Sequence, residues 1–171
     1  MVNYVVAHDP KWAAAFETEA EAVQSALPGV PLVLHHIGST SIPDILAKPI
    51  IDMMGVTARF DALDAQAGNL EALGYENMGA FGIEDRRYFR KFDAQGTRTH
   101  HLHVFLEGSH HIDRHLAFRD YLRVHPQEAA AYSALKQSLM ADGPLSWDAY
   151  LDGKDAFIKE AEAKALAWFH N

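Results

Sequence analysis

Two stretches of this chain set chemistry-bearing residues at the ends of apolar segments. The first, His36-Ile37-Gly38-Ser39-Thr40-Ser41, reads as a strand end running into a turn of small residues. Glycine lets a backbone approach an anion closely, and hydroxyls with exposed amides can hydrogen-bond phosphate oxygens. The same residues also suit a plain strand-to-helix turn in which Ser or Thr caps the next helix. The second stretch is Lys48-Pro49-Ile50-Ile51-Asp52. An aspartate inside an apolar strand is costly unless paired; a metal ion, a lysine or a neighbouring loop would pair with it. Alternation puts Ile50, Asp52 and Met54 on one face.

A third group is His100-His101-Leu102-His103. On a strand, His101 and His103 face the same way, about 6–7 Å apart. Two imidazoles on one face suit a divalent metal, or a phosphate if protonated; otherwise they are half-exposed strand histidines with backbone partners. The fourth group is basic: Arg86, Arg87, Arg90, Lys91 and Arg98 on a presumed hairpin, then Arg119 and Arg123 one helical turn apart. A guanidinium fork matches phosphate, and local positive density in an acidic chain is informative, although a single cation is by default a solvated surface group. Alternation sets Arg86 apart from Arg87 and Lys91, so Arg86 is expected to face the site. Tyr150 and Lys154, four apart, share a helix face. They would close over a ligand or form a surface pair, and spacing alone favours the surface pair.

The elements that must hold these residues follow from periodicity. Asp9-Pro10 reads as an N-cap with proline at the first helical position, and Trp12, Phe16, Val23 and Leu27 continue at helical spacing until Pro28-Gly29. Leu32 to Ile37 and Pro49 to Val56 read as buried strands. A helix with one apolar face runs from Phe60 to Leu73, stopped by Gly74. Arg86–Phe92 and Arg98–Leu106 read as two strands joined by a loop containing Gly96. Three helices follow: one carrying Ile112, Leu116 and Leu122, one opened by Pro126 and broken at Gly143-Pro144, and one after a Ser146 cap. The order predicts an α/β (α+β) domain, a mixed sheet flanked by helices with a helical C-terminal third, spanning residues 1–171 as one unit.

Together these pieces resemble the GrpB family. The motif His36 to Pro43, followed by Ala47 to Asp52, carries most of the resemblance. It extends through Asp9 to Trp12, His101 to Val104, Phe118 to Arg123, His125-Pro126, Tyr132, Leu135-Lys136, Lys154 and Phe157-Ile158. The resemblance implies a nucleotidyltransferase-like fold, and similarity to the extra domain fused to some dephospho-CoA kinases. In such a site Gly38-Ser39 would contact phosphate and Asp52 would be the first metal ligand. Met54 stands where the family fold's second acid is expected, and Pro43-Asp44 departs from the usual Pro-Gly. His103, His101 or Glu84 would complete a single-metal site.

Composition narrows the rest. A formal charge of -8 disfavours generic nucleic-acid binding, and the absence of cysteine excludes disulfides and thiolate metal ligands. The first ten residues lack a signal-peptide pattern and no run of about 18 apolar residues occurs, so a cytoplasmic location without membrane contact is expected. The expected function is metal-dependent transfer of a nucleotidyl or phosphoryl group to a small acceptor. Asp52 and Lys48 would act in catalysis. His36, Gly38, Ser39, Thr40, Ser41, Arg86, Arg119, Tyr150 and Lys154 would contact ligand. Asp52, His101 and His103 would hold a divalent metal, magnesium for a transferase. Two alternatives stand beside it: a decayed nucleotide-binding or folding-helper module with a protein partner, and a single-metal zinc or manganese hydrolase.

Overall fold

The computed structural model describes residues 4–141 and 146–171. Helix α1 (Lys11–Ala26) starts where the Asp9 carboxylate accepts the Lys11 N–H at 2.9 Å, so the expected cap is present. Strands β1 (Val33–Ile37) and β2 (Ile51–Thr57) pair antiparallel, linked through one 3-10 turn at Ser39–Ser41. Helix α2 (Asp61–Ala72) places Asp61 and Asp64 in its first turn, which suits the helix dipole. A three-residue strand β3 (Tyr75–Asn77) then joins β4 (Arg86–Phe92) and β5 (Arg98–Leu106). The sheet order is β1-β2-β5-β4-β3, with only β2 and β5 parallel.

Helices α3 (His110–Val124), α4 (Pro126–Met140) and α5 (Trp147–Phe169) complete the chain. The expected Ser146 cap forms, its side chain accepting the Ala149 N–H. The break at Gly143-Pro144 lies outside the described residues. Strand β3 was not expected: three residues are too few for alternation to show.

Alternation divides the sheet. Met53, Phe89, Leu102 and Val104 pack against α1 and α2 through Trp12, Phe16, Leu63 and Leu70. Asp52, Met54, His101, His103 and Phe105 occupy the other face. There Ile37, Met54 and Phe105 meet Ile112 and Leu116 of α3. Ala117, Leu122, Ala129, Tyr132 and Ala165 lock the three C-terminal helices together over Ile42 and Ile45. Full burial of each such large apolar side chain contributes about 1.5–3 kcal/mol, so this face is held by apolar packing around a polar gap. No helix among the described residues is long and apolar enough to cross a membrane.

Candidate functional site

The site is set by strand register. Parallel pairing places Asp52 opposite His101 and Met54 opposite His103. The His101 and His103 rings lie 6.3 Å apart, the separation expected from strand rise. Asp52 Oδ1 is 3.0 Å from His101 Nδ1 and 3.8 Å from His103 Nε2. One ligand atom from each residue falls within 4.8 Å of the other two. Burial alone would raise the Asp52 carboxyl, but hydrogen bonds from both imidazoles outweigh it and hold Asp52 well below the carboxylate range. His101 Nε2 is buried and has no partner among the described residues.

Gly38 makes this geometry possible. Its φ of 73° and ψ of -175° lie where side chains are strained, and a Cβ there would come within 2.6 Å of Asp52 Oδ2. The anion that this glycine approaches is therefore the aspartate itself.

A cavity of about 180 Å³ opens beside Asp52 and His101. Ser39 and Thr40 line it together with Lys48, with Lys136 of α4 and with Lys154 of α5. Lys48 Nζ sits 3.3 Å from the Trp147 ring centre and 4.3 Å from that of Tyr150. Burial, reinforced by Lys154, pushes the Lys48 ammonium down to about 7, and burial brings Lys154 to about 8. Tyr150 is only 1% exposed and lines the cavity with Lys154, so the surface-pair reading of these two is corrected. Spacing showed a shared face but not that the face docks inward.

Other expected contacts lie one step back. His36 stacks on Phe16 and its Nε2 meets Thr40 Oγ1 at 2.9 Å; burial lowers it to about 4, leaving it neutral. Ser41 Oγ donates to the Gly38 carbonyl, and Arg119 donates to the His36 carbonyl at 3.1 Å. These groups brace the turn from a groove on its far side. Arg86 is 6% exposed, with its guanidinium donating to the Ala80 and Phe81 carbonyls and, at 3.3 Å, to His103 Nδ1. Alternation gave it the correct face, but it stands behind His103 and does not line the cavity. A guanidinium only donates, so with no ion bound His103 Nδ1 accepts and the neutral ring carries its proton on Nε2, toward Asp52; to hold an ion on Nε2 the ring would have to move that proton to Nδ1 and give up the Arg86 contact. Glu84 is exposed and outside the ligand cluster. Lys136 and Trp147 were not foreseen as site residues. The spacing of Ala129, Tyr132 and Lys136, all buried, was the available signal for Lys136.

The sequence profile of the GrpB protein family matches residues 3–164. The UPF0157 protein YqkA of Bacillus subtilis is 43% identical over 96% of the chain, and the chain spans 47% of that protein's length. A dephospho-CoA kinase of Mycolicibacterium paratuberculosis is 26% identical over 96% of the chain, again spanning about half of the relative, 46%. The crystal structure of GrpB from Enterococcus faecalis superposes with a TM-score of 0.92 at 42% identity, covering 98% of this chain and 100% of that one. The Cid1 poly(U) polymerase superposes with a TM-score of 0.54 at 12% identity, over 80% of this chain and 44% of that one, which establishes a nucleotidyltransferase-like fold. Matched by the profile over nearly all its residues and by the Enterococcus structure from end to end, the chain belongs to the GrpB family.

Proposed function

We propose that this protein transfers a phosphoryl or nucleotidyl group from a phosphorylated small molecule to a small acceptor, with one divalent ion held by Asp52, His101 and His103. The observation that carries this reading is the meeting of Asp52 and His101, with His103 beside them, and Lys48, Lys136 and Lys154, which line one cavity with the first two. The donors fit a single ion: one carboxylate and two imidazoles within 4.8 Å, with His101 Nε2 lacking any other partner among the described residues. They do not fit two ions, because Met54 is fully buried in an apolar cluster where a second acid would stand. Two imidazoles favour zinc or manganese over magnesium. When bound, the ion would polarise a phosphoryl oxygen.

The chain's own groups do the rest. Ser39 offers its hydroxyl to a phosphate oxygen, while the Thr40 hydroxyl is held by His36 and the Ile50 carbonyl and shapes the wall. Lys48 and Lys154 offset the charge that builds during transfer. An arriving phosphate favours the ammonium form of Lys48, so binding takes up a proton near neutral pH. Trp147 and Tyr150 shield the cavity from water. The fold likeness to Cid1, whose structure was determined with MgGTP bound, supports a nucleotide as donor. The dephospho-CoA kinase relatives make CoA precursors the next ligands to try.

A second reading, single-metal hydrolysis, is favoured by the ligand types themselves, since an Asp/His/His set suits an ion that activates water. The first test is a thermal-shift panel of nucleoside triphosphates, CoA precursors and divalent metals on wild type and Asp52→Asn. A metal-dependent rise in Tm with a phosphorylated ligand, lost in the variant, is expected. Equal shifts in both proteins would refute the metal assignment. Product analysis with and without an added acceptor then separates transfer from hydrolysis, and binding without any product would leave a ligand-binding module.

A further inference from the structure

The cavity holds a second arrangement that the metal donors do not use. Lys136 Nζ lies within hydrogen-bond distance of Ser39 Oγ and donates to the Leu46 carbonyl at 2.9 Å. The lysine is 1% exposed, its Nζ 4.0 Å from the ring centre of Tyr132, and no carboxylate pairs with it among the described residues. The Leu46 N–H in turn donates to Ser133 Oγ at 2.8 Å, tying the loop to the same helix that carries Lys136. Burial, then Lys154 and Lys48, drive this ammonium toward the neutral amine, with Asp52 opposing. A neutral amine has one lone pair and two N–H groups. With one N–H on Leu46, the lone pair is free to face the Ser39 hydroxyl, which lines the cavity and also meets the Tyr132 hydroxyl.

We propose that Ser39 is a nucleophile, with Lys136 as its general base, that carries the transferred group on its own Oγ. The idea rests on the phosphoryl or nucleotidyl transfer proposed above, but not on the metal. In the first step Oγ attacks phosphorus, the Oγ–P bond forms, and the bond from phosphorus to the leaving oxygen breaks. The serine proton moves to Lys136 Nζ and from there to the leaving oxygen. In the second step the acceptor hydroxyl attacks the same phosphorus and gives its proton to Lys136. The Oγ–P bond then breaks and Oγ regains that proton. This is the logic of a serine activated by an adjacent base.

A fluorophosphonate probe tests the dyad directly, because Oγ–P formation expels fluoride and leaves a stable adduct. Wild type, Ser39→Ala, Lys136→Arg and Lys136→Met are labelled in the presence of a chelator and read by intact mass and peptide mapping. One adduct on Ser39 is expected, absent in Ser39→Ala and formed at least about a hundredfold more slowly in both lysine variants. An arginine keeps the charge and the hydrogen bonds but cannot accept the proton, so undiminished labelling in Lys136→Arg overturns the base and leaves a structural strut. If the lysine variants do not fold, the wild-type pH profile decides. The amine is faced by Asp52 and Lys48 from the β2 side, Lys154 and Tyr150 from α5, and Tyr132 on its own helix. A labelling rate that reaches its plateau well short of about pH 10, where an ordinary lysine titrates, supports the dyad. A rate still rising there overturns it, as does no adduct on Ser39. Because the chelator removes metal, failed labelling overturns the dyad alone, while a failed thermal-shift test overturns the metal-site reading alone.

Discussion

Gly38 and Asp44 bracket the turn that carries Ser39, and both hold a positive φ. Gly38 occupies a conformation open almost only to glycine and has no room for a methyl group against Asp52. Gly38→Ala is expected to cost about 2–5 kcal/mol from strain and overpacking together, a Tm drop on the order of 5–15 °C by thermal denaturation. Asp44 also has positive φ, 64°, at the position where the family resemblance led to glycine. Aspartate tolerates this region better than most residues but still at some cost. Asp44→Gly is expected to be neutral or to stabilise by up to about 1 kcal/mol in the same measurement, and a clear loss would show that the aspartate side chain has a partner role. His101 and His103 were legible as a same-face pair because of period-two alternation, whereas Asp52 joins them through the parallel register of β2 and β5, which alternation does not encode. Arg86 shows the limit of that rule: alternation chose its face, but the loop carbonyls of Ala80 and Phe81 hold its guanidinium away from the cavity.

At the scale of elements, α1 is fixed to the sheet by a polar contact as well as by its apolar face. Glu19 accepts from Lys91 Nζ at 2.9 and 3.2 Å and from the Tyr75 hydroxyl at 2.8 Å, so it joins α1 to β3 and β4. Burial would raise the Glu19 carboxyl, but the hydrogen bonds from Lys91 and Tyr75 outweigh it and the net effect is a lowered value. A carboxyl lowered by folding contributes stability that is full above its unfolded value and is lost as pH falls through the folded one. Glu19→Gln is expected to cost about 1–3 kcal/mol near neutral pH by urea denaturation. The gap to wild type should stay level from about pH 6 to 8 and narrow below about pH 4.5, where unfolded glutamate protonates. A gap that widened in acid would contradict the assigned direction. None of this network was legible, since Glu19 sits on the buried face of a helix and Tyr75 in a strand too short to announce itself. Hairpin β4–β5 was legible to the residue, because long runs of aromatic and branched side chains mark both strands. The docking of α4 and α5, which brings Lys136 and Trp147 to the cavity, depends on tertiary packing that spacing does not encode.

Over the whole molecule, charge is distributed against the site. The chain carries a net charge of -8, yet Lys48 and Lys154 converge where a phosphorylated ligand is proposed to sit. At separations beyond the cluster, an approaching anion feels the negative total; within a few ångströms it feels the lysines. Salt therefore acts differently on the two stages. The Debye length shortens to about 10 Å at 0.1 M, which screens the long-range repulsion while leaving partly buried contacts nearly untouched. For a fluorescent nucleoside triphosphate, the association rate is expected to rise between about 50 and 200 mM salt, with dissociation little changed. An ordinary electrostatically steered ligand would do the reverse. A single-stranded oligonucleotide presents many phosphates, most of which must lie outside the cavity against the acidic surface. It is therefore expected not to bind with the steep negative salt dependence of proteins that neutralise several phosphates at once. Stopped-flow measurement of the triphosphate and titration of the oligonucleotide at several salt concentrations would decide this. If the triphosphate associates faster in low salt, the lysine cluster reaches beyond the cavity mouth, and the acidic surface plays no part in choosing small ligands over strands.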